Sequence, residues 1–324
     1  MSNPLLEVKD LKKHYPIKGS SLFGSKHVLK AVDGVSFSIE KGETFGLVGE
    51  SGCGKSTVGR SIIRLHDITS GNIYLDGADI STLNEKSLKK YRRRMQAVFQ
   101  DPYASLNPTM NVFELISEPM KIHGNPSVAE QKETILHLLD QVGLKKDHLY
   151  RYPHEFSGGQ RQRVSIARAL SVKPDFILCD EPISALDVSV QAQVINMLED
   201  IQAETGVTYL FIAHDLSMVR HISDRIGVMY LGNIVEIGSS EELYSNPLHP
   251  YTQALLSAIP EPDPTIEKRE RIILQGEVPS PLHSPSGCKF RTRCPHAMTI
   301  CQEVVPEMME VETGHQVACH LFSK

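Results

Sequence analysis

The sequence Gly49-Glu50-Ser51-Gly52-Cys53-Gly54-Lys55-Ser56-Thr57 decides the predicted fold of this chain. It follows the short apolar run 44–48, which predicts a buried strand, and it leads into residues 58–65, which predict a helix. A strand, a G-x-x-x-x-G-K-[ST] loop and a helix, in this order, are typical of a phosphate-binding loop. The glycines let backbone N–H groups point into one concavity, and the helix N-terminus adds partial positive charge. Lys55 can reach the β- and γ-phosphates of a nucleotide, and the Ser56 hydroxyl can bind Mg²⁺.

The bulk composition is that of an ordinary globular protein. The chain has 324 residues, a formal net charge of −5 and 40% hydrophobic residues, so it is long enough for a sizeable core. No basic excess indicates a nucleic-acid partner. No apolar run approaches the roughly 18–20 residues of a membrane span. The first residues lack a basic region followed by a long apolar stretch, so we expect no signal peptide.

Three further apolar runs, at residues 97–100, 174–181 and 207–213, predict strands. Each of them ends in, or is followed directly by, a polar side chain with catalytic potential. Ligands bind outside the carboxyl ends of parallel strands, so these side chains are candidates for one site. Gln100 can bind Mg²⁺ or hold an attacking water through its side-chain oxygen. Asp180 fits the outer sphere of Mg²⁺, and Glu181 fits the group that orients or deprotonates the water. His214 is a candidate contact of the γ-phosphate, although a histidine at a strand end is often structural.

A second anion-binding feature begins at Ser157, about 100 residues after the first. Ser157 can cap a helix that runs to about Val172, and Gly158 and Gly159 expose backbone N–H groups at its start. This feature has no lysine comparable to Lys55. From the residues alone, it is either half of a phosphate site or a capped helix start. Tyr15, just before a loop at residues 18–26, either stacks on a nucleotide base or packs locally.

Taken together, these motifs resemble the ATP-binding cassette (ABC) family of transporter ATPases over roughly residues 5–245. In that family two cassettes pair head to tail, and the Ser-Gly-Gly-Gln segment of one completes the ATP site of the other. The resemblance therefore implies ATP and Mg²⁺ as ligands and Glu181 and His214 as catalytic residues. Phe156 and Ile183 depart from the commonest residues of the family without removing a reacting group.

The resemblance also assigns the remaining site residues. It implies ATP contacts from Tyr15, Gly49, Ser51, Gly52, Cys53, Gly54, Lys55, Ser56, Thr57 and Gln100. It implies Mg²⁺ contacts from Ser56, Gln100 and Asp180. It implies that Ser157, Gly158, Gly159 and Gln160 act at the partner's ATP site, and that Asp187 lies in the loop at the dimer interface.

The implied fold is an α/β P-loop NTPase of ABC type, with a mixed core sheet, an antiparallel β subdomain and an inserted helical subdomain. The nucleotide-binding domain is expected at residues 1–245, with the helical subdomain at about 101–172. Residues 246–287 form an extension and linker, and residues 288–324 form a small cysteine-rich C-terminal region. The run Asn246–Leu256 resembles the extension of the dipeptide/oligopeptide (and nickel) importer branch.

The C-terminal region contains four of the six cysteines, namely Cys288, Cys294, Cys301 and Cys319. Four thiolates can hold a [4Fe–4S] cluster or a tetrahedral Zn²⁺ ion, and no C-x₂-C pair of the usual zinc-ribbon kind is present. The peptide-importer ATPases carry a similar set of cysteines, and this resemblance favours iron–sulfur over zinc or free thiols. Three nearby histidines are either substitute ligands or solvated, namely His296, His315 and His320.

The function implied by the resemblance is ATP hydrolysis that energises an importer of dipeptides or oligopeptides. The implied partners are a second ABC ATPase subunit in a heterodimer, two membrane-spanning permease subunits and an extracellular or periplasmic solute-binding protein. The expected location is peripheral, on the cytoplasmic side of the cell membrane. The alternatives are an importer of nickel or another solute, and a soluble ABC ATPase that acts on ribosomes or DNA.

Overall fold

The computed structural model describes residues 3–17, 27–259 and 271–323, and these divide into two compact units. The first unit consists mainly of Leu75–Ile212, together with Ile39–Thr44 and the residues before Glu7. The second consists of Glu7–Ser38, Phe45–Tyr74 and the chain from Ala213 onward. The expected loop at 18–26 and part of the expected linker, residues 260–270, lie outside the described residues.

The strands of the structure include one at each of the four apolar runs predicted above, residues 44–48, 97–100, 174–181 and 207–213. They are β1 (Leu6–Ile17), β2 (His27–Ile39), β3 (Thr44–Val48), β4 (Ser70–Leu75), β5 (Ala78–Asp79), β6 (Met95–Phe99), β7 (Phe176–Asp180), β8 (Thr208–Ile212), β9 (Arg225–Tyr230), β10 (Asn233–Ser239), β11 (Met309–Glu312) and β12 (His315–Val317).

Most of the helices begin at a residue whose side chain caps the first turn, and α1, α7 and α11 do not. They are α1 (Lys55–Ile62), α2 (Glu85–Arg94), α3 (Pro102–Ser105), α4 (Val112–His123), α5 (Val128–Gln141), α6 (Gly158–Leu170), α7 (Val188–Thr205), α8 (Leu216–Ile222), α9 (Ser240–Ser245), α10 (Pro250–Ser257) and α11 (Ile300–Glu303). Asn111 and Glu114 form a capping box at α4, and Gly206 ends α7 in the left-handed conformation. Among the described residues, no helix is both long enough and apolar enough to cross a membrane.

The first unit contains a layer of three parallel strands, in which β7 lies between β6 and β8. Every residue of β7 and of β8 is buried, as expected for apolar strands that are covered on both faces. Phe99 is paired with Asp180, and Asp180 with Ile212, so the carboxyl ends of the three strands are level. The residues that follow these ends therefore share one edge of the sheet.

In the second unit, β3 pairs in parallel with β9, and β9 pairs with β10 in an antiparallel hairpin. The turn of this hairpin is at Leu231-Gly232. The C-terminal strand β12 pairs antiparallel with both β10 and β11. A separate sheet contains β2, β1 and β4 in that order. The C-terminal region is thus held by strand pairing to the hairpin that follows α8.

Candidate ATP-binding and hydrolysis site

The phosphate-binding loop connects β3 to α1, as the sequence predicts. Gly49 and Gly54 have φ angles of 148° and 110°. A Cβ atom on Gly49 would lie 2.1 Å from the Met229 carbonyl oxygen, and one on Gly54 would lie 2.2 Å from the Ala31 carbonyl oxygen. Both positions therefore require glycine, because the loop curls closely against two other backbone segments.

Lys55 lies inside this loop. Its side chain is buried, and its Nζ atom donates to the carbonyl oxygens of Gly49 at 2.7 Å and Glu50 at 3.1 Å. The ammonium group is thus held at the centre of the loop, where the phosphates of a nucleotide would replace these carbonyl contacts. Ser56, half-buried, occupies the next position of α1.

The candidate magnesium and water ligands of the first unit follow the level strand ends. Gln100 is exposed directly after β6, whereas Asp180, the last residue of β7, is only 1% exposed. Glu181 comes next, with a φ of 51° and a backbone N–H that donates to the Ile212 carbonyl oxygen at 3.0 Å. The left-handed backbone at Glu181 redirects the chain at the strand end, a costly conformation that is concentrated at functional sites.

Helix α6 begins as predicted and ends at Leu170, two residues before the expected end. The Gln160 backbone N–H donates to Ser157 Oγ at 3.4 Å, and the Ser157 backbone N–H donates to Gln160 Oε1 at 3.1 Å. This reciprocal pair is a capping box, so both polar side chains of the segment hold the helix start. The N–H groups of Gly158 and Gly159 belong to the first turn and have no intrahelical acceptor.

The remaining predicted residues have varied surroundings. Tyr15 is half-buried near the end of β1, with its ring 6.4 Å from the His66 ring in an edge contact. His214 is exposed two residues after β8. Asp187 is the N-cap residue of α7, and its side chain accepts no capping hydrogen bond. Their roles toward a nucleotide stay predictions.

The four C-terminal cysteines are free thiols that lie within electrostatic range of one another. Burial raises the pKa of Cys319 to about 11, and the neighbouring sulfur atoms of Cys288, Cys294 and Cys301 contribute in the same direction. The Cys288 backbone N–H also donates to the Cys301 carbonyl oxygen at 2.9 Å. However, in the described part of the chain no group of three or more His, Cys, Asp or Glu side chains is placed to bind a metal ion. The residues are chemically suited to a cluster, but their arrangement does not form one.

His315, considered above as a substitute ligand or a solvated residue, has a different role. It is fully buried, and its Nε2 atom lies 2.8 Å from Glu236 Oε1. Glu236 also accepts the backbone N–H groups of Leu248 at 2.8 Å and His249 at 2.9 Å. The prediction of a solvated histidine was wrong, because pairing of β12 with β10 brings His315 onto a buried carboxylate.

Two residues that contact the phosphate-binding loop were not predicted: Tyr251 and Arg293. Arg293 pairs with Glu50, and the Tyr251 hydroxyl accepts the Glu50 backbone N–H at 2.9 Å. Glu50 stands 243 positions from Arg293 and 201 from Tyr251, so no local pattern connects them. The only signal available was a carboxylate inside an anion-binding loop, which requires a cationic neighbour.

Comparison with known proteins agrees with this geometry. Residues 32–184 match the ABC transporter family, and residues 235–301 match the C-terminal region of oligopeptide/dipeptide transporters. The ATP-binding cassette MJ0796, solved as a dimer in a post-hydrolysis state with ADP and Pi, aligns with a TM-score of 0.65 and 30% identity. The alignment covers 72% of this chain and 98% of that one.

Two proteins of Bacillus subtilis (strain 168) are similar along the whole chain. YkfD is 60% identical over 321 residues, which is 98% of this chain and 96% of YkfD. The oligopeptide transport ATP-binding protein AppF is 57% identical over 322 residues, which is 98% of each chain. The chain therefore belongs to the ABC transporter ATPases, and within them to the oligopeptide/dipeptide transporter group. The predicted class of fold and the predicted ATPase activity are confirmed.

Proposed function

We propose that this chain is the ATP-hydrolysing subunit of an importer of oligopeptides. The observation that carries the proposal is the 57% identity to AppF over 98% of both chains, including the C-terminal region that matches oligopeptide/dipeptide transporters. An importer of nickel or another solute is the second candidate, since the set of motifs in the ATP site is the same for any cargo.

The phosphate-binding loop and its flanking residues bind ATP in this proposal. Backbone N–H groups of Gly49–Thr57 surround the phosphates, and Lys55 contacts the β- and γ-phosphates. Tyr15 stacks on the base. Ser56, Gln100 and Asp180 would hold Mg²⁺, which neutralises charge on the phosphates when bound. These oxygen-bearing side chains match the ligand preference of that ion.

Hydrolysis depends on two residues, Glu181 and His214. The Glu181 carboxylate accepts a hydrogen bond from the water and orients it, and His214 contacts the γ-phosphate. Ser157, Gly158, Gly159 and Gln160 act at the ATP site of a partner cassette, where the free N–H groups of the first turn of α6 stabilise negative charge. Asp187 lies at that same interface.

The proposed assembly contains further subunits. A related ATPase subunit completes a heterodimer, and two permease subunits cross the membrane. A solute-binding protein outside the membrane delivers the peptide. The chain itself binds peripherally on the cytoplasmic side.

The test is reconstitution of the complete complex in liposomes. ATP hydrolysis should rise when the solute-binding protein is loaded with an oligopeptide, and labelled peptide should accumulate in the compartment that holds ATP and the ATPase subunits. Stimulation by nickel in place of peptide would support the second candidate. Recovery of the chain with ribosomes or DNA, and not with the membrane fraction, would reject both.

The [4Fe–4S] cluster at the C-terminal cysteines, and zinc as its alternative, are kept as proposals from the resemblance alone. The supporting observation is that four thiols lie in mutual electrostatic range. Anaerobic purification followed by iron, sulfide and zinc analysis tests them. Iron and sulfide that are lost in a Cys301→Ser variant would support the cluster, and one zinc ion without sulfide would support the alternative. Metal-free protein of normal stability and activity would reject both.

A further inference from the structure

Arg293, in the C-terminal cysteine region, forms a two-point ion pair with the phosphate-binding loop. Its Nη1 and Nη2 atoms lie 2.9 Å and 3.1 Å from Oε2 and Oε1 of Glu50. The Arg293 side chain is 8% exposed and that of Glu50 is 27% exposed. Parallel N–H···O bonds from a guanidinium to a carboxylate are the strong, geometrically specific form of this interaction. An arginine guanidinium stays charged in proteins, so the contact is ionic.

The backbone of Glu50 is held from the same side. The Glu50 N–H donates to the Tyr251 hydroxyl at 2.9 Å, and the fully buried Tyr251 ring lies 5.4 Å from the ring of Phe290. Phe290 is itself 1% exposed and packs edge-on against Tyr230. Phe290 and Arg293 belong to one short segment, residues 288–294, so this segment and α10 together fix both the side chain and the backbone of Glu50.

A second connection from the same segment reaches the loop through a turn. Lys289 Nζ donates to the Leu231 carbonyl oxygen at 2.9 Å and lies 3.2 Å from Asp33 Oδ2. The adjacent Gly232 N–H donates to the Cys53 carbonyl oxygen at 2.8 Å. Leu231 has a φ of 41°, which marks the tight turn between β9 and β10. Segment 288–294 therefore supports the loop directly at Glu50 and indirectly at Cys53.

The direct contact has an electrostatic consequence for ligand binding. Glu50 places a negative charge inside a loop whose proposed ligand is a polyanionic nucleotide, and like charges at short range oppose binding. Arg293 neutralises that charge and fixes the carboxylate through two bonds. Lys55, which donates to the Glu50 carbonyl oxygen, depends on the same stretch of backbone.

We propose that Arg293 is a positioning residue for ATP: it neutralises Glu50 and holds the phosphate-binding loop in its binding geometry. The C-terminal region is thereby part of the ATP-binding machinery. The inference rests on the proposed role of Gly49–Thr57 as the phosphate site. A purely structural role for Arg293, in which the pair only attaches the C-terminal region, makes a different prediction for the double variant described next.

The test measures binding of Mg²⁺ and a fluorescent ATP analogue to the full chain, with thermal unfolding recorded for each variant. Arg293→Gln should weaken binding about fivefold or more, the lower end of typical couplings between separate segments. Glu50→Gln should bind at least as tightly as the unaltered chain. The double variant should bind more tightly than Arg293→Gln alone, because neither charge remains. Arg291→Gln is the matched control, since the Arg291 guanidinium donates to the carbonyl and hydroxyl oxygens of Ser286 within the same region and its loss should leave affinity unchanged.

Several outcomes would overturn the proposal. One is an Arg293→Gln protein that loses stability but keeps its affinity. Another is a double variant that binds as weakly as the single Arg293 variant, which would make the pair merely structural.

If Arg293→Gln does not fold, the comparison uses Arg293→Lys, which keeps the charge. Loss of binding by Arg293→Lys as severe as in a Lys55→Ala protein would then refute charge neutralisation. Lys55→Ala should itself abolish binding, and normal binding by that variant would refute the phosphate-site assignment and not the role of Arg293.

Discussion

Removal of His315 should destabilise the chain by about 3 kcal/mol, and the effect should fade as the pH rises. Both members of the His315–Glu236 pair are fully buried. Breaking a buried pair by removing one partner costs about 3–5 kcal/mol, because the other charge is left without compensation. Two observations favour the lower end: Glu236 keeps two backbone N–H donors, and His315 Nδ1 has no hydrogen-bond partner among the described residues.

The pH dependence follows from the direction of the pKa shift. The hydrogen bond to Glu236 raises the pKa of His315 above its ordinary 6.5, so the folded state favours the protonated ring. The stability gained from this protonation is fully present below about pH 6.5, the ordinary value for the unfolded chain, and it is lost as the pH rises through the higher folded-state value. The difference between the two proteins should therefore be larger at pH 6 than at pH 9. At each pH, the free energy of unfolding of the variant is subtracted from that of the unaltered chain, which cancels the contributions of other titrating groups.

The assay is urea-induced unfolding of the unaltered chain and of His315→Ala, followed by circular dichroism at both pH values. His320→Ala serves as the control, because His320 is only half-buried and its ring Nε2 atom bonds to the Val304 carbonyl oxygen and not to a carboxylate. The control should change the free energy of unfolding by about 1 kcal/mol or less. A His315 effect that is as small as the control's, or equal at pH 6 and pH 9, would refute the reasoning.

Three further predictions concern the site and its support. Glu181→Gln should lower the rate of ATP hydrolysis by the reconstituted complex about 100-fold or more, with nucleotide affinity retained. A normal rate of phosphate release by this variant would contradict the proposed role of Glu181 in orienting the water. Gly159→Ala should lower the free energy of unfolding by about 1–3 kcal/mol, because its methyl group would lie 2.5 Å from Val190 Cγ1. Gly158→Ala is the comparison, since the nearest atom there is 3.7 Å away. Equal unfolding temperatures for Gly159→Ala and Gly158→Ala would contradict this prediction. Burial lowers the pKa of His249 to about 4, so folding favours its neutral form and the free energy of unfolding should fall as the pH drops from 6.5 toward 4. A His249→Asn variant, which keeps a capping side chain, should lose part of that pH dependence in acid unfolding curves.

Features specified by contiguous residues could be predicted from the sequence. The bounds of β3 are those expected, and α6 begins at the predicted Ser157 cap. Residues 176–180 form the buried strand β7, which ends at Asp180, and Glu181 follows it directly. Each of these depends on apolar patterning, on glycine conformation or on a side chain that bonds to backbone three residues away. Local interactions are sufficient to specify them.

Helix α4 shows packing overriding local propensity. Pro119 lies inside α4, which continues to His123, although a proline in a helix interior usually breaks the helix. The helix tolerates it because several residues of the same helix are buried, among them Leu115 and Ile116. Burial of this apolar face offsets the lost backbone hydrogen bond, which is the usual way in which packing overrides local propensity.

By itself, the sequence of this protein determined the phosphate-binding loop, the polar strand ends and the capped start of α6. Only the tertiary structure decided the partners of the charged groups. Glu50 lies next to Arg293 because packing around Phe290 brings their segments together. Glu236 lies next to His315 because β12 pairs antiparallel with β10. The physical reason is that a buried charge requires an opposite charge nearby in space, and the sequence does not specify which distant residue will supply it.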